Sequence, residues 1–99
     1  MFANVSRVRL QPGKMEEGPT FWQQTILPVL KQLQGFRGLI VLGDPQSNKG
    51  MALLLWESEA DGEAALNSRA LQQAFEPGMA MLAGQPELEG YQVGLIEMA

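Results

Sequence analysis

Three consecutive stretches decide the fold: Phe36-Arg37-Gly38-Leu39-Ile40-Val41-Leu42-Gly43, then Asp44-Pro45-Gln46-Ser47-Asn48-Lys49-Gly50, then Met51-Ala52-Leu53-Leu54-Leu55-Trp56-Glu57. The outer two are short apolar runs, the length of strands rather than of helices. The middle one is dense in turn formers. Two strands joined by so short a connection form an antiparallel hairpin. Both runs are apolar at consecutive positions, so each sheet face must be covered by something.

Outward on the N-terminal side, a helical pattern ends at Gln34-Gly35. Trp22, Ile26, Val29, Leu30 and Leu33 recur at intervals of three and four and draw one apolar stripe. Glu16 and Glu17 suit a first turn, where the helix dipole favours carboxylates. Gly18-Pro19 disturbs that turn, so the regular helix is expected from about Pro19. Pro28 is expected to kink it and free the carbonyl of Gln24. Before Gln11-Pro12-Gly13, a turn signal, Phe2 to Leu10 alternates as a strand. Asn4, Ser6, Val8 and Leu10 share one face; Ala3, Val5, Arg7 and Arg9 share the other.

On the C-terminal side, Ser58-Glu59-Ala60-Asp61 resembles a capping box. A helical pattern then runs through Ala64, Ala65, Leu66, Leu71, Ala74 and Phe75 to a break at Glu76-Pro77-Gly78. Met79 to Ala83 continues as a short helix. The last strand is expected from about Leu88 to Met98. The order is β-α-β-β-α-β, which is the ferredoxin-like arrangement of an α+β fold. It is a four-stranded antiparallel sheet with both helical segments on one face, and it takes residues 1–99 as a single domain. The bare sheet face would expose much apolar surface, so a homodimer is expected.

Composition bounds the chemistry. The 99 residues include no cysteine and no histidine, so thiol nucleophiles, imidazole bases and their metal sites are excluded. A chain of this length buries about 65% of its unfolded surface, enough for one core. Seven basic and eleven acidic side chains give a net charge of −4, which argues against nucleic acid as a partner. No apolar run approaches the ~20 residues of a membrane span. Asn4, Ser6, Arg7 and Arg9 interrupt any signal-peptide core, so a cytoplasmic protein is expected. The acidic positions Glu57, Glu59, Asp61 and Glu63 complement a helix start and do not suggest a metal site. Arg7 and Arg9 read as an exposed strand face. Glu87 and Glu89 read as a solvated strand edge. Met79 and Met81 suggest the mouth of an adaptable pocket.

Four stretches carry a resemblance to a known family. They are Val8-Arg9-Leu10-Gln11-Pro12-Gly13-Lys14, Leu27-Pro28-Val29-Leu30, Gln34-Gly35-Phe36-Arg37-Gly38 and Leu55-Trp56-Glu57-Ser58-Glu59. With them the chain resembles the antibiotic biosynthesis monooxygenase-like (ABM) family of the dimeric α/β-barrel superfamily. The resemblance implies a homodimer. Members include cofactor-free oxygenases of quinols or anthrones, haem-degrading enzymes and signal-molecule isomerases, so the fold does not select one activity. The haem-degrading branch uses an asparagine, a tryptophan and a histidine. Asn4 and Trp56 match the first two, but Leu66-Asn67-Ser68-Arg69 stands where the histidine would sit, which argues against that branch.

The cofactor-independent monooxygenase branch needs only hydrogen-bond donors and a cation beside a substrate that carries its own reactivity. The resemblance thus implies Asn4 and Trp56 as catalytic residues and Arg37 and Tyr91 as substrate-binding residues. The substrate would be a small aromatic or quinol-type ligand, with no cofactor and no metal. Each residue also has a plainer role. Asn4 serves a strand-edge backbone group, Trp56 is core with its N–H bonded to backbone, Arg37 makes a surface salt bridge, and Tyr91 packs on its strand. Taken together, those roles describe a non-catalytic homodimer that binds a small ligand.

Overall fold

A computed structural model describes residues 1–99. Four strands form one antiparallel sheet: β1 (Phe2–Arg9), β2 (Phe36–Asp44), β3 (Lys49–Trp56) and β4 (Glu87–Gln92), in the order β2-β3-β1-β4. The ferredoxin-like α+β fold is thus as expected. The register places Leu39, Leu54, Asn4 and Gly90 in one row and Val41, Ala52, Ser6 and Leu88 in the next. That face meets the helices. Ile40, Leu53, Val5 and Glu89 form a row on the opposite face.

The first helical segment differs from expectation. It begins at Glu17, two residues before Pro19, and runs as α1 (Glu17–Phe21), a π-helical turn (Trp22–Ile26) and α2 (Leu27–Leu30). The N–H of Leu27 reaches back five residues to the carbonyl of Trp22. Pro28 has no N–H to continue the ordinary ladder, and the wider turn stands directly before it. The stripe still works: Ile26 and Leu30 are fully buried.

The second segment is split. Ser58 caps α3 (Glu59–Leu66), its hydroxyl accepting the N–H of Asp61. Ser68 then caps a new helix, α4 (Arg69–Phe75), by accepting the N–H of Leu71. A 3₁₀ turn (Glu76–Met81) follows, where a short helix to Ala83 was expected. The last strand is shorter than expected. The N–H of Val93 still bonds the carbonyl of Met1, next to the last β1–β4 pair, Phe2 with Gln92. Residues 94–99 form no strand. At the other end β1 stops at Arg9, and Leu10 makes only an isolated bridge to Leu82.

Trp56, Ile26, Leu30 and Leu71 are the largest fully buried side chains. Burying each stabilises the fold by about 1.5–3 kcal/mol. Ala52, Leu54 and Phe2 complete the layer between sheet and helices.

Candidate functional site

Between the helix-facing side of the sheet and the helical layer lies a cavity of about 380 Å³. That falls within the usual range for small-ligand sites, roughly 300–1,000 Å³. Asn4, Ser6, Val8 and Leu10 of the expected face of the first strand line it, with Leu54 from β3. Trp22 and Phe21 border it from the first helical segment; Leu71, Gln72 and Phe75 border it from α4. Trp22 and Phe75 meet edge to face at 5.3 Å. Met79 and Met81, the expected mouth residues, also line it.

Asn4 is buried, at 7% exposure. Its Nδ2 donates to the carbonyl of Gly62 in α3 at 3.3 Å. Trp56 is fully buried beneath the same helix, in edge-to-face contact with Phe36. Gly62 joins the two. A Cβ there would lie 3.2 Å from Trp56 Cδ1 and 3.3 Å from Asn4 Nδ2. The glycine therefore lets α3 descend onto both side chains. Trp56 does not itself line the cavity, and its indole N–H has no hydrogen-bond partner. Neither role set out for Trp56 describes that N–H. An unpaired buried donor costs about 1–3 kcal/mol.

Arg37 and Tyr91 are placed elsewhere. A β-bulge between Phe36 and Gly38 puts Arg37 at the surface, where its Nε donates to Glu57 Oε2 at 2.6 Å. Tyr91 lies on the opposite face of the sheet, in the row of Ala3 and Leu55. Its hydroxyl donates to Glu89 Oε2 at 2.6 Å, and Arg7 Nε donates to Glu89 Oε1 at 2.6 Å. The hydrogen bond from Tyr91, and then that from Arg7, hold the Glu89 carboxyl below its ordinary range. The same bond to Glu89, with some desolvation, pushes the Tyr91 phenol up. Glu89 is exposed on the edge strand β4, as expected, and there it is the centre of a surface network. No lysine or arginine lines the cavity, and with the Glu89 carboxylate on the opposite face its titratable lining side chain is Glu76. The cation expected beside the substrate is not supplied by Arg37.

Sequence reasoning missed Trp22, Phe75, Leu71 and Gln72 as wall residues. Trp22, Leu71 and Phe75 lie in helical patterns that read as core, and Gln72 is a polar position beside one of them. Ser6 was legible, because it shares the strand face of Asn4.

No protein-family model matches the chain. No curated protein matches it either. Solved structures do. A candidate antibiotic biosynthesis monooxygenase of Bordetella bronchiseptica superposes with a TM-score of 0.81 at 16% identity, over 95% of this chain and 97% of that one. SnoaB, a cofactor-independent oxygenase from Streptomyces nogalater, gives 0.77 at 14% identity, over 96% and 94%. A protein of unknown function from Nitrosomonas europaea gives 0.77 at 18% identity, over 99% and 93%. At such identities the likeness is one of backbone. The chain carries the ferredoxin-like fold of the antibiotic biosynthesis monooxygenases.

Proposed function

We propose that the protein is a cofactor-independent monooxygenase acting on a small aromatic substrate of the anthrone or quinol type. The observation that carries this reading is the apolar cavity with buried Asn4 in its wall. The fold shared with SnoaB supports it. An anthrone CH₂ is acidic enough to lose a proton without a histidine. The carbanion forms a C–O bond with O₂, and the hydroperoxide then loses water to leave a carbonyl. The balance is R₂CH₂ + O₂ → R₂C=O + H₂O. The protein's part is to hold the ring, position its oxygen at Asn4 and keep bulk water away. Trp56, behind the cavity wall, packs beside Asn4 against Gly62.

We further propose that the functional form is a homodimer packed through the helix-free sheet face. Ile40, Leu42 and Tyr91 are 44, 51 and 48% exposed there, around half-buried Met51, Leu53 and Leu55. An apolar patch of this kind marks an interaction surface.

The lining favours one competing reading. It offers no histidine, lysine, tyrosine or cysteine as a base, which suits a dimer that binds its ligand without turning it over. Oxygen uptake with dithranol separates the two. The oxygenase consumes oxygen faster than buffer alone, and Asn4→Ala lowers kcat/KM at least tenfold, about 1.4 kcal/mol. Uptake at the buffer rate, with the variant equal to the parent, leaves the ligand-binding dimer.

A further inference from the structure

Which end of the Asn4 amide faces the cavity follows from its one side-chain hydrogen bond. A backbone carbonyl only accepts, so the atom beside the Gly62 oxygen is the amide nitrogen. The amide is thereby fixed, and Oδ1 is left without a partner on a side chain that is 93% buried and lines the cavity. Asn4 was expected to act as a donor to an anionic oxygen. The structure commits one of its two N–H groups to Gly62 and adds an unpaired acceptor, Oδ1.

The surroundings agree. The wall holds no lysine or arginine, and its one acidic side chain is Glu76, since Glu89 turns its carboxylate to the opposite face. Arg7, on the opposite face of the sheet, is paired with Glu89 at the surface. An anion entering here loses its hydration and gains no counter-charge. A neutral hydroxyl gives Oδ1 the donor it lacks.

Resting on the reading of this cavity as the ligand site, we infer that it selects a neutral, hydroxyl-bearing aromatic whose O–H donates to Asn4 Oδ1, and rejects the same ring system as a carboxylate. Asn4 is thus a specificity-determining residue through its acceptor.

Equilibrium binding without oxygen tests this, read by tryptophan fluorescence or calorimetry at pH 7. The probes are 2-naphthol, 2-methoxynaphthalene and 2-naphthoate. The naphthol binds at least tenfold more tightly than the methyl ether, which has no donor, and at least a hundredfold more tightly than the carboxylate. Asn4→Leu brings naphthol and its ether within about twofold of each other. Should that variant fail to fold, Gln72→Lys serves instead, because Gln72 is an exposed residue at the wall. The added cation raises naphthoate affinity at least tenfold. Naphthoate or the ether binding as tightly as naphthol to the parent protein overturns the inference, and so does no binding by any of the three. Oxygen uptake is a separate readout. Its absence alongside the expected binding order removes the oxygenase and leaves the selectivity. Uptake without that order does the reverse.

Discussion

Asn4 and Gly62 tie the sheet to α3 at the point where the cavity begins. Gly62→Ala would gain about 1 kcal/mol of helix propensity. Its methyl would also press on Phe2 Cδ2 at 3.0 Å and on Trp56. Overpacking of this kind costs about 1–3 kcal/mol. The expected net effect is a loss of up to about 2 kcal/mol in urea unfolding, with oxygen uptake reduced through displaced Asn4. Across the sheet, Tyr91 gives a test that involves pH. Its folded pKa is raised, so the bond to Glu89 contributes stability below the ordinary value of about 10. That contribution is lost as pH rises through the folded value. Ultraviolet titration should place the Tyr91 midpoint above that of free tyrosine, and Glu89→Gln should return it. Much at this scale was legible in the sequence. Strand alternation put Asn4 with Ser6, Val8 and Leu10, as found. Alternation says nothing about which end of an amide is already bonded, because that depends on a carbonyl 58 residues away. Of the two roles open to Arg37, the surface salt bridge is the one found, and the bulge that turns it outward leaves no clear local signature.

The elements were legible where periodicity is strong and were missed where one local bond decides. Ser68 lies inside a pattern that reads as one helix from Ser58 to Phe75. Its hydroxyl bond to Leu71 N–H, at 3.3 Å, starts a second helix instead. That break sets the course of α4, which carries Leu71, Gln72 and Phe75 to the cavity. Removing a serine N-cap costs about 0.5–2 kcal/mol. Ser68→Ala should therefore lower stability by about 1 kcal/mol in urea unfolding, with a larger proportional effect on ligand affinity than Ser58→Ala. The first helical segment makes the same point. Pro28 announced a disturbance, but not that it would take the form of a π turn bearing Trp22. The strand signal continues to Met98, whereas pairing with β1 ends at Gln92.

At the scale of the whole molecule, the two faces of the sheet do different work. One packs on the helices and encloses the cavity. The other exposes Ile40 and Leu42 and is the proposed dimer face. Light scattering should give twice the 10.8 kDa chain mass. Leu42→Glu should shift the species toward one chain while the fold, read by circular dichroism, is kept. A single chain mass for the parent at micromolar concentration would contradict the dimer. The topology was the most legible feature of all, because the central hairpin and two flanking helical stripes allow few arrangements. The cavity was not, since it is the space left between elements whose breaks are local. Its role as the ligand site is the central claim, and the two tryptophans report on it. Trp22 lines the cavity, and Trp56 lies behind Asn4 across Gly62. The direct measurement is a ¹H–¹⁵N spectrum of the two indole N–H groups during an oxygen-free titration with dithranol. Both indole signals should move as the cavity fills; if neither moves up to the solubility limit, the cavity is not the binding site.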